Sequence, residues 1–148
     1  MRRWIFVAVA LPCAAALAHG KHFSAGEPGK ADEKSRTVEI VMKEGDGTMS
    51  YAPDHLAVKR GEQIRFVIRN EGALSHEFML ASEQENAEHG KLMEKFPNME
   101  HDDPNGKTLE PGKSVEVLWK FIRRGTFEFA CLIPGHRQAG MHGEIIVN

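Results

Sequence analysis

Apolar and polar side chains alternate along short stretches of the chain between Thr37 and Val147, a pattern typical of half-buried β-strands. Val38, Ile40 and Met42 begin the series, and clusters of Gly, Asp, Asn and Pro separate the stretches. The pattern predicts strands that start at Thr37 and Gln63, an extended piece over Tyr51–Val58, and strands over Ser75–Leu80, Ser114–Phe121, Phe127–Cys131 and Gly143–Val147. Short strands separated by turns predict an all-β fold, a Greek-key β-sandwich.

Residues 82–111 do not follow this alternation and are predicted to form a long excursion of loop and helix. Ser82 and Glu85 have the spacing of a capping box, which marks the start of a helix. The helix is predicted to end at Phe96 because a proline follows it. Leu92 and Phe96 would form its narrow apolar stripe.

Residues 1–18 have the parts of a secretory signal peptide. Arg2 and Arg3 precede an apolar run, and the run ends near the small residues of a cleavage site. The run is short for a permanent membrane anchor, although a short anchor is the alternative interpretation. We therefore predict an exported protein with a flexible His-containing arm over 19–35 and one domain over 36–148.

Charge and cysteine content narrow the classes of function. The chain has 19 basic and 21 acidic side chains and a net charge of −2, so it lacks the basic surplus of nucleic-acid-binding proteins. Cys13 lies in the predicted leader, which leaves Cys131 alone in the exported chain. Exported proteins usually use cysteines in disulfide pairs. A single thiol is therefore buried and inert, available to a partner, or bound to a metal.

Cys131, His136 and Met141 follow one another at the spacing C-x4-H-x4-M, within the stretch F-E-F-A-C-L-I-P-G-H-R-Q-A-G-M-H-G. They offer a thiolate, an imidazole and a thioether, and His76 offers a second imidazole at the start of a predicted strand. Two His nitrogens, a Cys sulfur and a weak axial Met sulfur are the copper ligands of electron-transfer sites. We predict that these four residues bind a metal.

Each of these residues has a simpler interpretation when it is considered alone. His76 would be a core histidine, Cys131 a small buried hydrophobic residue and Met141 core filler. A nucleophilic Cys–His enzyme is the competing chemical interpretation, but the sequence offers no obvious oxyanion-binding or orienting group. The combination of all four at this spacing favours the metal site.

The loop A-C-L-I-P-G-H-R-Q-A-G-M-H-G resembles the ligand loop of the cupredoxins, the type 1 copper proteins, and its spacing is like that of rusticyanin-like members. The stretch N-E-G-A-L-S-H-E-F, which contains His76, is similar to the first-histidine strand of the family. The resemblance implies the cupredoxin fold and one type 1 copper site. The excursion and the arm resemble those of periplasmic copper-tolerance cupredoxins of bacteria, which implies a periplasmic location.

Two residues depart from the family pattern. Many members have Asn or Ser directly after the first histidine, where it helps to order the Cys loop, whereas this chain has Glu77. Neighbours of the ligands tune potential and colour, so a blue site and a green site both remain open. His142, next to Met141, is either an exchange partner in the coordination sphere or a surface residue.

Further methionines and histidines lie outside the predicted site. Met93, Met99 and His101 in the excursion would bind a second copper ion, Cu(I) through sulfur, or serve only as core and surface residues. His19 and His22 in the arm would bind Cu(II), or belong to an ordinary polar terminus.

The sequence leaves two functions open. The first is a diffusible one-electron carrier with His136 as the electron exit and Arg137 steering an acidic partner. The second is a copper-tolerance protein, in one form a sequestration or delivery protein with a second Met/His copper site and no dedicated electron-transfer partner. We expect a monomer that meets a periplasmic redox or copper-handling protein. We expect no enzymatic activity, because the sequence lacks the His-x-His and His-Cys-His elements of multicopper oxidases.

Overall fold

The computed structural model describes residues 22–97, 99 and 103–148. The predicted signal peptide over 1–18, His19 and His101 lie outside the described residues. Among the residues described, no helix has the length and apolar character needed to cross a membrane.

Two five-stranded sheets pack face to face and confirm the predicted all-β sandwich. The first sheet has the strand order β1-β8-β5-β2-β3 and the second has the order β4-β10-β9-β6-β7. β2 pairs with β5 and β4 with β10 in parallel, and the other neighbours are antiparallel. The elements are β1 Glu27–Pro28, β2 Arg36–Gly45, β3 Thr48–Ala52, β4 His55–Val58, β5 Gln63–Asn70, β6 His76–Ala81, α1 Glu83–Lys95, β7 Gly106–Leu109, β8 Ser114–Lys120, β9 Gly125–Ala130 and β10 His142–Val147.

Aromatic side chains from both sheets form the centre of the core. Phe78 stacks on Phe129 at a centroid distance of 5.5 Å and contacts Phe66 at the same distance. Such ring pairs add stabilisation to that from buried apolar area. Phe78 lies two residues after His76 and Phe129 lies two residues before Cys131, so this packing fixes two strands that carry predicted ligands.

The excursion covers the outer face of the second sheet. The helix α1 has the predicted capping box, with the Ser82 hydroxyl accepting from the Glu85 N–H, and it ends before Phe96. Its predicted apolar stripe is wrong, because Leu92 and Phe96 are exposed whereas Asn86 and Met93 are buried. The sheet surface beneath the helix explains the difference. It presents the carboxylate of Glu128 to the amide of Asn86, and it presents apolar side chains to Met93. The end of the excursion also forms the short strand β7, which pairs with β6.

The part of the predicted flexible arm that the structure describes is packed against the first sheet. Ala25 is buried and its carbonyl accepts a hydrogen bond of 3.2 Å from the indole N–H of Trp119. Phe23 makes an edge contact with the same indole, and Glu27 and Pro28 form β1 beside β8. These earlier residues thus pack against the domain predicted over 36–148, and the boundary at residue 36 stays a prediction.

Candidate metal centre

Two neighbouring strands and one loop bring the predicted ligands to one end of the sandwich. His76 is the first residue of β6, and Cys131 directly follows β9. β6 and β9 are antiparallel neighbours, with Met79 opposite Ala130, so the start of one strand lies beside the end of the other. The loop from Cys131 to β10 carries His136 and Met141.

The nitrogen and sulfur atoms of three predicted ligands converge. His136 Nδ1 lies 3.3 Å from both His76 Nδ1 and Cys131 Sγ, and the three donor atoms all lie within 4.8 Å of one another. His76 and Cys131 are fully buried, whereas His136 is partly exposed. Two imidazoles and a thiol with converging donor atoms fit the His2Cys ligand set of a copper site.

Met141 is buried, and its backbone is hydrogen-bonded to Cys131 and His136. Its N–H donates to the His136 carbonyl over 3.1 Å, and its carbonyl accepts from the Cys131 N–H over 3.0 Å. Its side chain belongs to the same core cluster as Cys131. Its role as the axial sulfur ligand stays a prediction.

A family model described as copper binding proteins, plastocyanin/azurin family, matches residues 37–148, which is most of the chain. The chain belongs to this plastocyanin/azurin family. Copper is the cofactor of the family, and the donor set of His76, Cys131 and His136 fits it.

Relatives and solved structures agree with this assignment. The chain is 42% identical to the copper-resistant cuproprotein CopI of Rubrivivax gelatinosus, over 90% of this chain and 79% of that protein. It is 39% identical to the protein of the same name from Pseudomonas aeruginosa, over 88% of this chain and 84% of the relative. Reduced auracyanin from Roseiflexus castenholzii shares the fold, with a TM-score of 0.65 at 24% identity over 78% of this chain and 99% of that one.

Glu77 orders the Cys loop of this family member in place of the usual Asn or Ser. Its backbone N–H donates to Cys131 Sγ over 3.3 Å, and its carboxylate oxygen Oε2 accepts from the Leu132 N–H over 3.1 Å. Both bonds join the strand that starts with His76 to the start of the ligand loop. Burial raises the pKa of Glu77 to about 7, although the hydrogen bond from Leu132 acts in the opposite direction.

Burial also shifts the pKa values of two of the metal-free ligands, Cys131 and His136. It raises the pKa of the Cys131 thiol to about 12, so the free thiol carries its proton at neutral pH. It lowers the pKa of His136, so this imidazole is neutral there. Since copper binds the thiolate, binding releases the thiol proton. A buried thiol with a raised pKa is a poor nucleophile.

The other predicted metal ligands that the structure describes do not join this cluster. His142 is exposed at the start of β10, and His22 is exposed with its Nε2 3.0 Å from Arg123 Nη1. Met93 is buried in a small apolar cluster against which Met99 packs. The members of that cluster are Met79, Met93, Ala130 and Leu132. Core packing accounts for these methionines, and a second copper site stays a prediction.

Arg137 anchors the ligand loop to the sheet instead of extending freely into solvent. Its Nη2 and Nε donate to Glu128 Oε1 over 2.7 and 3.1 Å, and Glu128 Oε2 accepts from the Asn86 amide over 3.0 Å. The Glu128 side chain is only 8% exposed, and that of Arg137 is 30% exposed. The cation that sequence reasoning assigned to partner steering is thus paired within the protein.

Arg137→Ala is therefore expected to lower the free energy of unfolding of the metal-free protein by about 2 kcal/mol, because a buried carboxylate loses its charged partner. Arg65→Ala is the matched control, since Arg65 pairs with an exposed Glu116, and it should cost less than about 1 kcal/mol. Urea unfolding of both variants measures the difference. Equal losses in the two variants would contradict a special role for Arg137.

Sequence reasoning missed Glu44. Its Oε1 lies 2.5 Å from His76 Nε2, the ring nitrogen that does not face the other ligands. Glu44 precedes His76 by 32 residues and sits near the end of β2, so no local motif connects the two.

Proposed function

We propose that this chain is an exported copper-tolerance protein of the bacterial periplasm that holds one copper ion and exchanges single electrons through it. The ligands would be His76, Cys131, His136 and Met141. The observation that carries the proposal is the convergence of two imidazole nitrogens and a buried thiol within 4.8 Å. The resemblance to copper-resistant cuproproteins over about nine-tenths of the chain supports tolerance as the main role.

The residues around the site suit a metal held in a constant environment. Bound copper would supply a one-electron couple between Cu(I) and Cu(II). Cys131 and His76 are closed off from solvent, so water has little access to the thiolate. Glu77 holds the start of the loop, and the backbone of Met141 closes it against Cys131 and His136. Such a frame limits rearrangement between the two oxidation states.

His136 is the proposed route for electrons, because it is the ligand side chain that reaches the surface. The exposed Pro134 and the partly exposed Ile133 lie beside it. A partner would be a periplasmic redox or copper-handling protein. We infer a monomer without enzymatic activity.

A second candidate function is copper sequestration or delivery with an additional Met/His site. The observation that favours it is the contact of Met99 with the cluster that contains Met79 and Met93, since thioethers prefer Cu(I). Metal analysis after dialysis separates the candidates. One copper per chain, unaffected by Met99→Ala, contradicts the second site, and two per chain supports it.

The main proposal is tested by deleting the gene from its host and measuring growth across a copper series. We expect the deletion strain to be sensitive to copper. The full chain should restore growth in copper, and a chain with His136→Ala should not. Cell fractionation of the complemented strain should find the mature protein in the periplasm. A deletion strain that grows normally in copper but loses respiration would contradict the tolerance role and leave an electron carrier.

A further inference from the structure

Glu44 places a carboxylate behind the first ligand histidine. The His76 ring is fully buried, its Nδ1 faces His136, and its Nε2 lies 2.5 Å from Glu44 Oε1. A carboxylate accepts hydrogen bonds and donates none when it is ionised. The proton of a neutral His76 ring therefore belongs on Nε2, which leaves the lone pair of Nδ1 directed at the other ligands.

The Glu44 carboxylate is itself held in place by the backbone that leads into His76. Its Oε2 accepts from the Ala73 N–H over 2.9 Å, and its Oε1 accepts from the Leu74 N–H over 3.0 Å. Three donors thus surround one carboxylate, two from the loop before β6 and one from the His76 ring. The side chain is 23% exposed, so it lies at the edge of the protein while its oxygens stay engaged.

Gly72 leaves the space that this carboxylate occupies. A Cβ atom at position 72 would lie 2.5 Å from both oxygens of Glu44, which is far inside van der Waals contact. The obstacle is the end of a flexible side chain, so an alanine there would displace the carboxylate and not the backbone. Position 72 therefore offers a way to move the Glu44 carboxylate without removing its charge.

We propose that Glu44 is a positioning residue for the copper site, which fixes the tautomer and the ring orientation of His76. This inference rests on the proposed copper function. A carboxylate that accepts from the second ring nitrogen of a metal-bound histidine holds the ring and raises its basicity as a ligand. The negative charge of Glu44 also favours Cu(II) over Cu(I), because the more highly charged ion gains more from it.

Two variants test the proposal in different ways. Glu44→Gln removes the negative charge of the carboxylate. Gly72→Ala displaces the carboxylate but keeps its charge. Both should weaken Cu(II) binding by about 10- to 100-fold, measured by competition with a chelator. Each tenfold loss of Cu(II) affinity that leaves the Cu(I) affinity unchanged raises the reduction potential by about 59 mV.

The controls match each change. Glu39→Gln removes a carboxylate from the same strand, where it pairs with Arg69 on the surface. Gly90→Ala adds a Cβ on the helix α1, where it meets no atom within 4 Å. Affinity and potential of both controls should equal those of the unmodified protein. Test variants that match their controls in copper affinity and potential would overturn the proposal, because that result is the one expected if Glu44 has a purely structural role.

A copper-independent measurement separates failure of this proposal from failure of the copper function. Nitrogen-15 NMR of the metal-free protein should show His76 with its proton on Nε2, and Glu44→Ala should give a mixture of both tautomers. A single unchanged tautomer in Glu44→Ala would overturn the positioning role even where copper binds as proposed. An unmodified protein that takes up no copper would refute the proposed function, whatever the tautomer.

Discussion

Replacing Cys131 with serine is expected to abolish the thiolate-to-copper absorption of the copper-loaded protein. Cys131 is the one cysteine of residues 36–148, so no other side chain of this domain supplies a thiolate. A serine hydroxyl is a harder and far less acidic ligand, and copper affinity should fall with the colour. Visible spectra and metal analysis of the copper-loaded protein measure both effects.

The matched control is His142→Ala, which removes an exposed imidazole beside the ligand loop. This variant should keep the colour and the copper. If the Cys131→Ser protein stays coloured, the metal site is not the one formed by His76, Cys131 and His136. If His142→Ala loses the colour, His142 takes part in the coordination sphere.

Replacing Glu77 with glutamine is expected to stabilise the metal-free protein at pH 8 by about 3 kcal/mol and to have little effect at pH 4. Burial raises the pKa of Glu77 from 4.5 to about 7 in the folded protein. Between these values the folded protein keeps a proton that the unfolded chain releases. The contribution of this carboxyl group to the free energy of unfolding is therefore fully present below pH 4.5, falls as the pH rises, and is lost above about pH 7.

Urea unfolding of both proteins from pH 4 to pH 8 in the presence of a chelator measures this difference. Other groups titrate in the same range, but they do so in both proteins and cancel in the comparison. A difference in unfolding free energy that stays constant across the series would show that Glu77 does not titrate there. The glutamine side-chain oxygen still offers an acceptor to the Leu132 N–H, so the variant isolates the charge.

The strands and the ligand loop were predictable because their information is local. Alternation reports the buried face of each strand from a few neighbouring residues, and Cys131, His136 and Met141 lie within eleven residues of one another. His76 was predictable as the histidine at the start of a strand on its inward face. The structure brings it to Cys131 and His136, as expected.

The features that sequence reasoning missed depend on distant contacts. The bond between Glu44 and His76 requires β2 to end beside the loop before β6, and no spacing in the sequence encodes that. The buried side of α1 depends on Glu128, which holds the amide of Asn86. The packing of Ala25 against the first sheet depends on Trp119, whose indole N–H donates to the Ala25 carbonyl 94 residues earlier in the chain.

The short strand β1 has a practical consequence for handling the protein. It pairs with the outer edge of β8 over two residues, and Pro28 cannot donate a ladder hydrogen bond. An uncovered strand edge invites pairing with other chains. A truncated version that starts at residue 36 would leave this edge and the Trp119 indole uncovered and would promote aggregation. A shortened version for expression should therefore retain the segment from His22 onward.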